Sequence, residues 1–208
     1  MKYTASLAKI KGIDERILKK REEALKREIP VMDEETLNFL LTFLRGLRPK
    51  KILEIGTAVG LSAAAMLDCL KDAKVTTIEV EEERYLEAKK NLAALGFADR
   101  ATCHLGDAGE ILNMMDADGC FDFIFLDGPK AQYLNYLFDC KRLLKKGGVL
   151  FADDVLLFGW VSGETEMPYK RHSIVAKIKE YLETVSADPE LSTSVLNVGD
   201  GVAISVKY

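Results

Sequence analysis

Five short apolar runs, at residues 51–55, 75–80, 101–105, 121–126 and 149–152, alternate with four helical patterns at 61–70, 82–95, 107–115 and 132–144. Apolar runs of this length bounded by turn residues read as buried strands. Strands separated by helix-length segments pair in parallel, because a parallel neighbour is reached only through a long crossover. The alternation therefore implies an α/β fold, a mostly parallel sheet with helices on both faces. In open sheets of this kind ligands bind beyond the carboxyl ends of the strands. Glu54, Glu79, Asp107, Asp127, Asp153 and Asp154 all fall at or just past such ends. Carboxylates far apart in sequence are thus expected along one rim of the sheet, which is the strongest argument for an active site there.

The first strand runs into Gly56-Thr57-Ala58-Val59-Gly60-Leu61-Ser62. Glycine suits a backbone that must turn sharply and let a ligand approach without a Cβ in the way. The spacing is not the dinucleotide fingerprint, which needs a G-x-G-x-x-G pattern. Glu54 also puts negative charge where a pyrophosphate would want positive, so a nicotinamide-dependent dehydrogenase is disfavoured. Glu79 follows at the distance where such folds place a carboxylate on ribose hydroxyls. A cationic nucleoside ligand is expected. Glu54-Ile55-Gly56-Thr57-Ala58-Val59-Gly60 followed by Glu79 resembles the S-adenosylmethionine site of class I methyltransferases. The resemblance implies a Rossmann-like fold with a seven-stranded, mostly parallel sheet ending in an antiparallel hairpin. It further implies cofactor contacts from Met32, Glu54, Gly56, Thr57, Ala58, Gly60, Ser62, Glu79 and Asp127, with adenine near Asp107 and Ala108.

Two later segments carry further chemistry: Phe123-Ile124-Phe125-Leu126-Asp127-Gly128-Pro129-Lys130 and Val149-Leu150-Phe151-Ala152-Asp153-Asp154. Each is an apolar strand that delivers carboxylate at its end. Taken singly, each Asp could cap a helix or pair with Lys130. Three carboxylates at neighbouring strand ends repel one another unless protonated or neutralised by a cation, and a hard divalent ion takes oxygen ligands of this type. Residues 32–207 resemble the metal-dependent O-methyltransferases, the group containing the catechol and caffeoyl-coenzyme A enzymes. That resemblance makes Asp127, Asp153 and Asp154 ligands of Mg²⁺ or another divalent cation, and makes Lys130 and Asp127 catalytic. Asp154 stands where the family usually has Asn, which leaves the identity of the metal open. The implied reaction is attack of a metal-bound acceptor oxyanion on the methyl group, with Lys130, its proton affinity lowered in a partly dry site, accepting or steering the departing proton.

The remaining segments frame this site. Residues 1–48 read as N-terminal helices, one over 14–28 ended by Pro30 and one over 36–47 capped by Asp33, with residues 31–32 ahead of it. A long loop at 155–169 precedes a helix at 172–185, and loops of that length are often lids or binding loops. Gly199-Asp200-Gly201 joins two terminal antiparallel strands, at 191–198 and 202–207. The stretch Tyr169-Lys170-Arg171-His172-Ser173-Ile174-Val175 resembles the bacterial subgroup that methylates 5-hydroxyuridine at the wobble position of transfer RNA. There Lys170, Arg171 and His172 would lie beside the metal and meet phosphates, while Trp160 and Phe158 stack on a ring. The residues alone suit a solvated helix start equally well, so the acceptor is expected to be either tRNA or a small catechol-like compound. A non-catalytic cofactor-binding protein is the other reading, disfavoured by the intact Asp127, Lys130, Asp153 and Asp154.

At 208 residues one domain is expected, and a net charge of −4 offers nucleic acid no global attraction. Cys69, Cys103, Cys120 and Cys140 show no C-x-x-C pair and sit in apolar contexts, so buried, reduced thiols in a cytoplasmic protein are expected. There is no signal-peptide pattern, and no run approaches the ~18 apolar residues of a membrane span. The family resemblance implies a homodimer.

Overall fold

A computed structural model describes residues 3–208. The chain packs as two compact units, Met1–Asp107 and Ala108–Tyr208. The first contains α1 (Tyr3–Leu7), α2 (Glu15–Lys26), α3 (Glu34–Leu47), β1 (Lys51–Ile55), α4 (Leu61–Cys69), β2 (Lys74–Glu79), α5 (Glu82–Ala94) and β3 (Ala101–Leu105). The second contains α6 (Ala108–Met114), β4 (Phe121–Leu126), α7 (Tyr133–Leu143), β5 (Leu144–Ala152), α8 (His172–Ala187), β6 (Leu191–Leu196) and β7 (Val202–Lys207).

Local chemistry explains where these elements start and stop. Asp14 caps α2 by accepting the Arg16 N–H at 2.8 Å. The helix stops at Lys26, before Pro30, because Glu28 turns into the left-handed region at φ 57°. Asp33 caps α3, accepting the Thr36 N–H at 3.0 Å and its hydroxyl at 2.6 Å. Leu37, Leu40, Leu41 and Leu44 fall on one stripe of α3 and are buried. Burying each such side chain stabilises the fold by roughly 1.5–3 kcal/mol. Both α2 and α3 pack on α4.

In the first unit the strands pair in the order β3-β2-β1, and in the second in the order β4-β5-β7-β6. β1 with β2, β2 with β3, and β4 with β5 are parallel, while β7 runs antiparallel to both β5 and β6. This is the mostly parallel sheet that the alternation implied, with the C-terminal hairpin expected from the turn at Gly199-Asp200-Gly201. The central strands are buried on both sides, as in Phe123–Leu126 and Val149–Ala152, whereas edge strand β6 exposes Ser192 and Ser194.

Some boundaries differ from the sequence reading. β5 begins at Leu144 rather than at 149, because exposed Lys145 and Lys146 extend the strand without contributing to its apolar run. After Pro129, residues Lys130–Gln132 form a 3₁₀ turn, so α7 starts at Tyr133. The four thiols are free, and Cys140 is buried as expected, but Cys69 and Cys103 are only half-buried. Cys120 is exposed, contrary to expectation: it lies in the turn before β4, where its apolar sequence neighbours do not cover it. Among the described residues no helix is long and apolar enough to cross a membrane.

Candidate active site

In the first unit the turn after β1 is held from below and from one side. Gly56, Ala58 and Gly60 have positive φ, at 101°, 46° and 80°. The N–H groups of Gly56 and Thr57 both donate to the Ile78 carbonyl, at 3.1 and 3.2 Å. A Cβ on Gly60 would lie 3.2 Å from the Ala88 Cα, so α5 packing as well as backbone conformation requires glycine there. Glu54 is fully buried: its oxygens accept from Ser62 Oγ at 2.5 Å and Thr77 Oγ1 at 2.6 Å. Because Thr77 gives its proton to Glu54, the Thr57 hydroxyl is the donor in its 2.5 Å contact with Thr77. Glu54, Thr57 and Ser62 therefore brace the turn from within. Both oxygens of Glu54 thus accept from hydroxyls of the chain itself.

Glu79 is nine-tenths buried and faces the same turn. Its Oε2 accepts the Ala58 N–H at 2.7 Å, and its Oε1 accepts those of Val80 and Glu81 at 2.9 Å each. A carboxylate has about four acceptor positions, so three amides leave room for one further donor such as a ribose hydroxyl. Gly60 supplies no side-chain cap to α4, which leaves first-turn amides available to an anion. Val31 packs against Ala24, Val59 and Leu61. Met32 beside it is half-buried, and Asp107 is exposed beyond β3.

In the second unit the ends of β4 and β5 are tied together. The Asp153 N–H donates to the Leu126 carbonyl at 3.0 Å, and Tyr133 Oη lies 2.9 Å from that carbonyl and 3.0 Å from the carbonyl of Asp153. Asp154 then adopts a left-handed φ of 55°, which turns the chain out of the strand. Lys130 Nζ sits 2.6 Å from Asp127 Oδ1 and 3.0 Å from Asp154 Oδ2. Asp153 Oδ1 accepts the Asp154 N–H at 2.8 Å.

Electrostatics in this cluster follow from burial and mutual repulsion. Burial, reinforced by Asp127 and Asp154, pushes the Asp153 carboxyl well above the usual carboxylate range. Burial also raises Asp127, with Lys130 opposing it. For Lys130 burial works against the charge, but Tyr133, Asp127 and Asp154 outweigh it and hold the amine well above the ordinary lysine value. Burial likewise pushes the Tyr133 phenol well above its ordinary value, with Lys130 opposing it. The expected lowering of Lys130 is thereby reversed in this state, because an ion pair overcomes desolvation.

The donor set has the chemistry a hard dication needs, three carboxylates, with burial and the neighbouring charges of Asp127 and Asp154 raising Asp153, and burial with Asp154 raising Asp127. Among the described residues no group of three His, Cys, Asp or Glu side chains is gathered closely enough to hold a metal ion. Lys130 takes the position between Asp127 and Asp154 instead.

The loop after β5 is not an open flap. Val155 and Leu156 donate to the carbonyls of Gly201 and Asp200, both at 2.9 Å, and Thr165 Oγ1 donates to the Phe158 carbonyl at 2.5 Å. Trp160 is half-buried, with its ring 5.1 Å from that of exposed Phe158. Lys170 and Arg171 occupy a 3₁₀ turn leading into α8, which His172 begins, and all three are exposed. Ala108 is buried at the start of α6. Sequence reasoning missed Thr77, Tyr133 and Asn91. Only Asn91 left a trace, as a polar residue on the stripe formed by Ala88, Leu92 and Leu95.

Topology defines the class: an antiparallel strand inserted between β5 and β6 at the end of a parallel sheet marks a Rossmann-like methyltransferase. Residues 9–208 match the sequence model of the O-methyltransferase family. Caffeoyl-CoA O-methyltransferase 1 of Eucalyptus globulus is 31% identical over 80% of this chain and 70% of its own length. The flavonoid 3',5'-methyltransferase of Vitis vinifera is 29% identical over 97% and 88%. A Staphylococcus aureus structure, provisionally assigned as a caffeoyl-CoA O-methyltransferase, superimposes with a TM-score of 0.84 at 36% identity, covering 92% of each chain. An O-methyltransferase of Bacillus cereus in complex with SAH (S-adenosylhomocysteine) gives 0.82 at 25% identity, covering 99% of this chain and 96% of its own. The chain belongs to the O-methyltransferase family and is an S-adenosylmethionine-dependent enzyme of that family.

Proposed function

We propose that the enzyme methylates a hydroxyl flanked by a second oxygen on a phosphate-bearing acceptor, 5-hydroxyuridine in tRNA, with a divalent cation held by Asp127, Asp153 and Asp154. The observation that carries the chemistry is Lys130 held between two strand-end carboxylates, at 2.6 and 3.0 Å. The glycine turn takes the cofactor, Glu79 accepts a ribose hydroxyl, and the open first turn of α4 receives the cofactor's carboxylate. Met32, Asp107 and Ala108 supply the adenine and edge contacts. The bound cation would polarise the acceptor hydroxyl as a Lewis acid. Lys130 keeps its proton and steers the reaction: the acceptor hydroxyl gives its proton to solvent, and the ammonium offsets the negative charge left on its oxygen. The acceptor oxygen then forms its bond to the methyl carbon as the carbon–sulfur bond breaks, leaving a neutral thioether. Orientation of the two reactants alone is worth roughly 7–11 kcal/mol in such reactions.

Support for an RNA acceptor comes from Lys170, Arg171 and His172. Among the described residues they make no ion pair, and cations at a helix N-terminus oppose its dipole, an arrangement that stability does not favour. A free catechol-like acceptor is the second reading, favoured by the caffeoyl-CoA and flavonoid relatives. The test is methyl transfer from labelled S-adenosylmethionine to undermodified tRNA, to catechols and to caffeoyl-CoA, each with and without chelator. Chelator-sensitive labelling of tRNA is expected. Labelling of small phenols alone would replace the RNA reading, and labelling indifferent to chelator would remove the metal.

A further inference from the structure

Val59, just before the second glycine of the turn, is tied to α2 through one buried amide. Asn91 on α5 is 7% exposed, and its Nδ2 donates to the Val59 carbonyl at 2.9 Å. Its Oδ1 accepts from Lys20 Nζ, on α2, at 2.8 Å. This arrangement has only one workable amide orientation. A carbonyl can only accept, so Nδ2 must face Val59; an ammonium can only donate, so Oδ1 must face Lys20. Lys20 therefore holds the Asn91 donor on the turn. One residue along, Gly60 packs against Ala88, the residue one helical turn before Asn91. On the other side Ala24 of α2 packs with Val59 and Leu61. Val59 is thus gripped by α5 through a hydrogen bond and by α2 through apolar contact.

We propose that Asn91 is a positioning residue for the cofactor turn and that Lys20 locks it, so that the docking of α2 sets cofactor affinity. The inference rests on the reading that this turn holds S-adenosylmethionine. Asn91 touches no reacting atom. It fixes the carbonyl of Val59, hence the direction of the Gly60 backbone and of the first amides of α4. A turn left free to rotate there has to be ordered by the ligand, which appears as lost affinity rather than lost turnover.

The test compares three variants of the full chain: Asn91→Asp, Lys20→Met and Arg27→Met. The first keeps the shape of the side chain but replaces the donor by an acceptor. The third removes a different α2 staple, the Arg27 pair with Glu87 at 2.5 and 2.9 Å, which does not reach the turn. Calorimetry with S-adenosylhomocysteine reads affinity, and initial rates with the acceptor found active separate KM for the cofactor from kcat. Asn91→Asp is expected to weaken binding about tenfold with kcat within about twofold, since a buried carbonyl loses its donor. Lys20→Met should weaken binding about threefold, as the amide is loosened but not removed. Arg27→Met should bind as wild type. Wild-type affinity in Asn91→Asp, or equal loss in Lys20→Met and Arg27→Met, would overturn the proposal while leaving the cofactor site in place. If Asn91→Asp folds too poorly to measure, the Lys20 and Arg27 comparison decides alone. Wild-type protein that binds no S-adenosylhomocysteine would overturn the cofactor reading and this inference with it.

Discussion

Lys130 Nζ lies within 3.0 Å of two carboxylates that belong to different strand ends, Asp127 after β4 and Asp154 after β5. Its side chain is 14% exposed while that of Asp154 is 38% exposed, so the pair with Asp127 is the better shielded of the two. Replacing Lys130 by Met leaves both acids without their counter-charge. Turnover is expected to fall about 100-fold or more, because charge stabilisation at the nascent oxyanion is lost. S-adenosylhomocysteine affinity should stay near wild type by calorimetry. Without metal the variant should also lose roughly 1–2 kcal/mol of stability, a figure reduced for the partial exposure of Asp154. A second residue, Cys140, gives a pH prediction independent of the site. Burial, with Asp139 adding to it, pushes the thiol from about 9 up to about 12. Across that window the folded chain holds the proton and the unfolded chain releases it, so stability falls as pH rises. Melting temperatures followed from pH 8 upward should therefore drop more steeply for wild type than for Cys140→Ala. A mild thiol reagent at neutral pH should label exposed Cys120 and spare Cys140.

At the scale of elements, the loop after β5 packs closely on the turn of the terminal hairpin at Gly201. Gly201 has φ 90°, and a Cβ there would lie 2.3 Å from Leu156 Cγ and 2.6 Å from its Cβ. Gly201→Ala is expected to cost about 2–3 kcal/mol, from left-handed strain plus overpacking. Chemical denaturation should show part of that loss restored in the Gly201→Ala/Leu156→Ala double variant, since the clash is relieved and the backbone strain remains. If the double variant regains nothing, the contact with Leu156 is not what excludes a side chain. The order and type of elements were legible because apolar periodicity is a local property: β1, β3 and β4 occupy the residues read from it. The loop at 155–169 was legible only as a loop. Its bonds to Asp200 and Gly201 join segments distant in sequence, and no periodicity reports them.

For the whole molecule, a net charge of −4 means that RNA binding would have to be local, drawn by Lys170, Arg171 and His172 against the overall field. The Lys170→Ala/Arg171→Ala double variant is expected to lower kcat/KM for tRNA about tenfold and to reduce the salt dependence by about two charges. Activity on a catechol should not change. Filter binding across a salt series, beside a small-molecule methylation assay, separates these outcomes. An unchanged salt slope would return the cluster to a solvated helix start.

The sequence by itself determined the α/β alternation, the glycine turn after β1 and the acids at the ends of β1, β2, β4 and β5. Each depends on residue type and spacing along a few consecutive residues. Tertiary structure alone decided what those acids do. Glu54 is consumed by Ser62 and Thr77, Glu79 is bonded to three backbone amides, and Asp127 and Asp154 share one ammonium. The reason is physical. A carboxylate's role is set by burial and by the donors within about 3 Å of it. Those donors come from elsewhere in the chain, and folding alone brings them within reach.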